Sequence, residues 1–194
     1  LEMHIPMVLA LNMMDEVRGN GGSIDYDQMS ELLGIPVIPI SAAKDEGIED
    51  LIQAIVSVSK KKIYPKVLDF CEQGPVHRCI HAVSHQVEDH AIKSGMSPRF
   101  AATKIVENDT QIIEKLELSQ NELEMMEHSI EEMEKDHCMD RNAALADMRY
   151  TFIEKVCSKT VKKCHESKEH RRSVRIDSVL TNKYLAIPMF LAIM

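Results

Sequence analysis

No run of the form GxxxxGK followed by Ser or Thr occurs in this chain of 194 residues. The backbone loop that most often cradles nucleotide phosphates is therefore missing from it. The five cysteines, Cys71, Cys79, Cys138, Cys157 and Cys164, are odd in number and contain no CxxC pair. That argues against a secreted disulfide framework and against a zinc ribbon, and fits a reducing cytosol. Basic excess is lacking too: 23 Lys and Arg stand against 31 Asp and Glu, a net charge of -8. Without a basic face to neutralise phosphates, nonspecific nucleic-acid binding is excluded. Residues 1–20 carry neither the charged start nor the cleavage site of a signal peptide. What is present is a 44% hydrophobic content, enough for the core of one or two small domains.

Two apolar runs, PMVLAL from Pro6 to Leu11 and IPVIPI from Ile35 to Ile40, suit buried parallel strands. The segment between them reads as a helix. Asp25 and Gln28 form a capping-box pattern, Ile24 and Met29 occupy the staple positions, and Gly34 ends the helix after Leu32 and Leu33. A second helix is expected after Gly47, with Ile48, Leu51, Ile52, Ile55 and Val58 on one face, ending by Lys60-Lys61-Lys62. Strand, helix, strand, helix implies part of a parallel α/β sheet, with further strands expected upstream of Leu1.

From about Gly74 to His165 the pattern becomes helical throughout. Ser97-Pro98 reads as a cap and first-turn proline, and Ser119 with Glu122 as a capping box. Leu123, Met126, Ile130 and Met133 form one apolar stripe, and Leu145, Met148, Phe152 and Val156 the next. These are expected to be ordinary core, since methionine fills irregular gaps. Glu122, Glu124, Glu127, Glu131, Glu132, Glu134 and Asp136 crowd the first of these helices and are expected to form a solvated face. From Lys155 to Lys183 nine basic residues stand against three acidic ones, and Tyr184 to Met194 then carries no charge. Eleven residues do not cross a bilayer core, which needs about 20, yet a basic flank before an apolar run is how a cytoplasmic segment enters a membrane. A short buried C-terminal helix is the alternative.

The motifs with chemistry lie at the front. Asn12-Met13-Met14-Asp15 and, 26 positions after Asp15, Ser41-Ala42-Ala43 each follow an apolar run. Guanine presents N1–H and an exocyclic amine side by side, so one carboxylate can accept from both; adenine offers no such pair. Asp15 would set base identity in this way, through the strong class of charge-assisted bidentate bond. Asn12 would bond the opposite purine edge and tie the loop. The Ala42 N–H would donate to the guanine carbonyl, with Ser41 bracing the turn. Read alone, Asn12 to Asp15 is equally a polar turn with Asp15 capping a short helix.

These residues resemble bacterial ferrous iron transport protein B (FeoB), through LNMMDE (Leu11–Glu16), LLGIPVIPISAAKDEGIEDL (Leu32–Leu51), PRFAATKIVEND (Pro98–Asp109) and DSVLTNKYLAIPMFLAIM (Asp177–Met194). The resemblance implies an α/β fragment, part of a P-loop GTPase-type sheet, over 1–62. It implies an all-α helical bundle, the family's GDI-like or spacer domain, over 63–168, and a basic linker with the start of a transmembrane helix over 169–194. Asn12, Met13 and Asp15 match the base-specificity motif. Ser41, Ala42 and Ala43 match the fifth guanine-nucleotide motif. Met13 stands where lysine is usual in GTPases, is typical of this family, and is expected to pack on the base without adding charge.

By the same resemblance the ligand is GTP or GDP, Mg²⁺ is held by residues absent from this chain, and Fe(II) is the transported substrate. The partners are the remainder of the polypeptide with its membrane channel, and a homo-oligomer is left open. The location is the bacterial inner membrane, this segment on the cytoplasmic side. Coupling to the membrane helix is expected through Arg171, Arg172 and Arg175. With no phosphate loop, switch or magnesium ligand, this chain is not expected to hydrolyse GTP.

Three other readings remain. His77, His81 and His85 recur at i, i+4 and i+8 with Glu88 near the stripe, the spacing of a metal-binding helix face. Val76, Ile80, Val83 and Val87 run beside them, which makes half-exposed histidines flanking a core the plainer expectation. The chain is otherwise an interaction scaffold with a sheet edge open for pairing, or part of another small GTPase such as a ribosome-assembly factor. Acidic charge and the apolar C-terminus speak against the last.

Overall fold

Strand β1 (Leu9–Leu11) and strand β3 (Val37–Pro39) pair in parallel, with Leu9 opposite Val37, Ala10 opposite Ile38 and Leu11 opposite Pro39. The computed structural model describes residues 1–67, 69–162, 173–174 and 176–178. Around this pair lie helix α1 (Met14–Gly19), strand β2 (Ser23–Ile24), helix α2 (Tyr26–Leu33), a 3-10 turn (Ala42–Lys44) and helix α3 (Ile48–Lys61). Helix α2 is capped and stopped where expected, though only the Asp25 half of the expected capping box forms. The Asp25 carboxylate accepts from the Gln28 N–H at 2.9 Å, and Gly34 closes the helix at φ 67°, its own N–H donating to Ser30.

The strands pair in parallel as expected, but each takes only three residues of its apolar run, and they are not buried on both faces. Ala10 is exposed while Val37 is buried. Helix α3 differs in the same sense. Val58 is buried, but Ile52 and Ile55 on the expected inner face are about half exposed. The physical reason is reach: a sheet two strands wide covers only part of a helix of 14 residues.

The helical part follows as α4 (Pro75–Lys93), α5 (Pro98–Val106), α6 (Thr110–Leu116), α7 (Gln120–His137) and α8 (Arg141–Thr160). Its core joins Ile80, Val83 and Val87 of α4 to Ala101, Ala102 and Val106 of α5, Leu116, Met126, Ile130, Met133 and Leu145. Each large side chain buried there contributes roughly 1.5–3 kcal/mol of transfer free energy. The methionine stripe is therefore core. Ser119 and Glu122 form the full reciprocal capping box. Pro98 takes the first turn of α5, but the Ser97 side chain makes no capping bond, against expectation.

Two features depart from an all-helical second half. After Thr160 the chain turns extended, and strand β4 (Val161–Lys162) pairs antiparallel with β2, Ser23 opposite Lys162 and Ile24 opposite Val161. The Asp25 N–H also donates to Thr160 O at 2.8 Å. The apolar stripe of α8 consequently divides. Leu145 and Met148 enter the helical core, whereas Phe152 and Val156 pack with Met29, Val37 and Leu32 beside the sheet. The acidic face of α7 is not uniformly solvated either. Glu127 and Glu134 grip Arg141 at the start of α8 at 2.5 and 3.0 Å, and the Arg141 N–H donates to Glu134 as well.

No helix among the described residues is long and apolar enough to cross a membrane. Tyr184–Met194, together with Arg171, Arg172 and Arg175, lies outside the described residues.

The Arg141 clamp joins α7 to α8 across their connection, and its hydrogen bonds are charge-assisted. Arg141→Ala is expected to lower the unfolding free energy by about 1–2 kcal/mol, the figure being discounted for the partial exposure of the carboxylates. Urea unfolding followed by circular dichroism measures it.

Candidate functional site

Two loops leave the carboxyl ends of β1 and β3 side by side, the position where open parallel sheets bind ligands. Beyond the strand register, Leu11 O accepts from the Ile40 N–H at 2.8 Å and Ile40 O accepts from the Met14 N–H at 3.1 Å. The second loop is pinned across its own mouth. Ser41 N–H donates to Glu46 O at 3.0 Å and Glu46 N–H to Ser41 O at 3.1 Å. Gly47 closes it at φ 73°, where a Cβ would stand 2.4 Å from Pro39 O. Only glycine fits there, on both backbone conformation and space.

These backbone constraints bring the two sequence motifs together. The Ser41 hydroxyl, on a residue 1% exposed, donates to Asp15 Oδ1 at 2.8 Å, and Lys44 Nζ lies 3.4 Å from Asp15 Oδ2. The Ser41 bond, with Lys44 adding to it, holds the Asp15 carboxyl below its ordinary value of 3.8. Asn12 Oδ1 accepts from the Met13 N–H at 2.8 Å and from the Ala42 N–H at 3.1 Å. Two backbone donors on one oxygen fix the orientation of the amide, so the Asn12 NH₂ end faces away from them. Asn12 thus ties the two loops together. The Ala42 N–H, expected to point at a ligand, is engaged by Asn12.

Met13 caps α1 in the left-handed region at φ 64°, with its side chain exposed at the rim. Ala43 is exposed in the middle of the 3-10 turn. Sequence reasoning did not single out Lys44, although it directly follows Ser41-Ala42-Ala43. It also missed the ion pair of Arg18 with Glu46, which bridges α1 to the second loop.

The arrangement presents an ionised carboxylate, an amide NH₂ and an exposed thioether along one rim. Such a set can accept from two adjacent donors, donate to an acceptor and cover an apolar ring.

The histidine stripe lies elsewhere, on α4. Its rings stand in sequence, with centroids 5.0 Å apart for His77 and His81 and 5.4 Å for His81 and His85. His77 and His81 face Asp69 from the segment before the helix, and His85 pairs with Glu88. Nothing in the sequence spacing singled out Asp69.

Fold and site together define a P-loop GTPase-like α/β fragment joined to a helical domain. Two family profiles match, one described as "Ferrous iron transport protein B" over residues 1–55 and the other as "FeoB cytosolic helical domain" over residues 73–162. The chain belongs to the FeoB family. It is 32% identical to the Fe(2+) transporter FeoB of Legionella pneumophila (strain Paris), covering 100% of this chain and 24% of that protein. It is 26% identical to that of Staphylococcus aureus (strain MSSA476), covering 100% and 29%. The chain therefore spans about a quarter of the length of the curated relatives it matches. Among solved structures it is similar to a GDP-bound mutant of S. thermophilus NFeoB, with TM-score 0.69, 28% identity and 81% of this chain and 59% of that one covered. It is also similar to mGMPPNP-bound NFeoB from S. thermophilus, with TM-score 0.67, 29% identity and 85% and 61% covered.

The Ser41–Asp15 bond has a pH signature. A carboxyl whose folded value is depressed contributes stability above its unfolded value, here near 3.8, and loses it as pH falls through the lower folded value. Ser41→Ala is expected to raise the Asp15 value toward 3.8 and to flatten stability against pH in that acidic window. NMR titration of the Asp15 carboxyl checks the first, and urea midpoints across the window the second.

Proposed function

We propose that this chain supplies the guanine-reading side of the nucleotide site in a ferrous iron transporter, and that its helical part couples that nucleotide domain to the membrane channel. The observation that carries the reading is Asp15. It is held ionised by Ser41 and Lys44 beside Asn12, at the carboxyl ends of two parallel strands. Both oxygens already have a protein partner, yet each carboxylate oxygen carries two lone pairs. One remains on each for the N1–H and amine of guanine. The NH₂ of Asn12 reaches the opposite purine edge, and Met13 covers the ring. A guanine carbonyl approaching Ala42 shares that N–H with Asn12 Oδ1.

The GDP-bound and mGMPPNP-bound states of the NFeoB structures support guanine nucleotide as the ligand. The reading of iron as the transported substrate is supported by the names of the Fe(2+) transporters that align with the whole chain. Hydrolysis needs groups that position phosphates, Mg²⁺ and the attacking water. Asn12, Asp15 and the Ser41 loop supply none of these, so this segment contributes selectivity rather than the chemical step. A cytoplasmic place next to the inner membrane fits the order of the parts, with the basic stretch and the apolar run of Tyr184–Met194 following the helical part.

Replacing Asp15 tests the base reading. In a longer polypeptide that adds a phosphate-binding loop, Asp15→Asn is expected to shift preference from guanosine to xanthosine diphosphate by at least about 100-fold. An amide suits the oxygen that xanthine carries in place of the guanine amine. Unchanged preference would leave Asp15 as a local brace.

Met13 is tested in the same polypeptide. Met13→Lys is expected to tighten GDP binding by roughly threefold to tenfold, through a cation over the ring face, measured by fluorescent-nucleotide displacement. An unchanged or weaker affinity removes Met13 from the base pocket.

A further inference from the structure

We infer that Asp69, His77 and His81 form a binding site for a divalent first-row transition-metal ion, independent of the nucleotide loops. His77 Nε2 lies 3.1 Å and His81 Nε2 4.0 Å from the same oxygen, Asp69 Oδ2, and the three candidate ligand atoms lie within 4.8 Å of one another. Metal–ligand bonds of about 2.0–2.2 Å in tetrahedral array put ligand atoms about 3.3–3.6 Å apart. The first separation is already close, and the second closes by a side-chain turn of His81, which is half exposed.

Helical spacing alone puts three histidines in a row. The structure selects two of them, because the Asp69 carboxylate reaches back over the first two turns of α4 and stops there. His85 faces Glu88 instead, at 3.9 Å.

Asp69 is presented as a one-oxygen ligand. Its other oxygen, Oδ1, is held by Arg99 at 2.8 Å and by the Cys71 N–H at 3.2 Å. Arg99 is itself largely buried and lies over the Phe70 ring. Outer partners of this kind orient a ligating carboxylate. They leave Oδ2 turned toward both imidazoles. Two imidazoles and one carboxylate, with the remaining positions open to solvent, make the ligand set of zinc and of non-haem ferrous sites. The groove beside it, of about 280 Å³, is lined by His81, His85, Glu88, Ser97 and Arg99 among others, which leaves room for water ligands.

The ligands come from different segments. Asp69 lies in the connection between α3 and α4, while both histidines lie on α4. A bound ion would therefore fasten that connection to the first helix of the helical part.

Cobalt(II) titration of the 194-residue chain, read by visible absorption, tests this. One ion per chain is expected, with the d–d bands of a low-coordinate nitrogen and oxygen site and no thiolate charge-transfer band. His77→Ala, His81→Ala and Asp69→Asn should each weaken binding by at least about tenfold, while His85→Ala should stay within about twofold. Zinc should raise the melting temperature of the wild type and not of His81→Ala, as expected of a ligand that binds only the folded chain. His81 is half exposed, so its removal spares the core, and the metal-free melt of each variant verifies folding. Absence of saturable binding overturns the site. So does a thiolate band, or binding that survives His77→Ala and His81→Ala, or binding that disappears with His85→Ala instead.

Discussion

The register of β1 against β3 is the constraint on which the rest of the front half depends. Because Leu9 stands opposite Val37 and Leu11 opposite Pro39, the two loops leave the sheet at one end. Residues 26 positions apart in sequence then meet at hydrogen-bonding distance. A slip of one residue would turn every side chain of one strand to the other face and separate Asp15 from Ser41. The site therefore inherits its precision from backbone pairing. Side-chain bonds such as Asn12 Oδ1 to the Ala42 N–H lock a geometry that the strands have already set.

Gly47 shows how narrow the tolerance is. The return of the second loop passes so close to Pro39 O that no side chain fits. The same loop must hold Ser41 buried while leaving Ala42 and Ala43 exposed. A crossed pair of backbone bonds between Ser41 and Glu46 meets both demands. The left-handed conformation of Met13 is the counterpart on the first loop. Such a conformation costs on the order of 1 kcal/mol or more for a non-glycine residue, and the short Met13 N–H to Asn12 bond offsets it in part.

Much of this was legible from residues alone, where a local rule decided the outcome. The Asp25 cap, the Gly34 stop, the Ser119 capping box and the buried methionine stripe all rest on neighbours within a few positions. The approach of the two motifs was legible because two strands of like direction each carried one at the same end, but the direct Ser41–Asp15 bond was not, since Ser41 was expected to brace its own turn. What sequence did not disclose was the partner supplied from afar. Nothing near Val161 says that it will pair with Ile24, since two-residue strands have no periodicity to read. Asp69 looked like any polar residue of a connection until its carboxylate was placed beside His77. The α3 face misled for a related reason. Its pattern specifies an apolar stripe, but a stripe is buried only as far as something lies across it, and among the described residues Ile52 and Ile55 are covered only by about half.

Helix α8 makes the two halves mechanically one. Twenty residues at 1.5 Å each give a rod of about 30 Å, long enough to place Leu145 and Met148 in one core and Phe152 and Val156 in the other. Its ends are anchored differently. Arg141 is clamped by two carboxylates of α7, while β4 carries the far end into a strand pair with β2. Midway, Arg149 bonds Glu107 at 2.7 Å and lies 3.6 Å from Glu2, whose carboxyl is pushed up by burial and pulled back by the arginines. A boundary drawn in the connection between α3 and α4 thus cuts through the sheet-side core, which takes Phe152, Val156 and Val161 from beyond it. Sliding the sheet against the bundle would expose Phe152 and Val156 and break the β2–β4 pairing together. Fully exposing those two side chains would cost at most about 3–6 kcal/mol by the usual burial value, an upper bound because Phe152 is only partly buried. That is a large share of the stability of a small domain, so the two halves should unfold as one cooperative unit despite their different architectures.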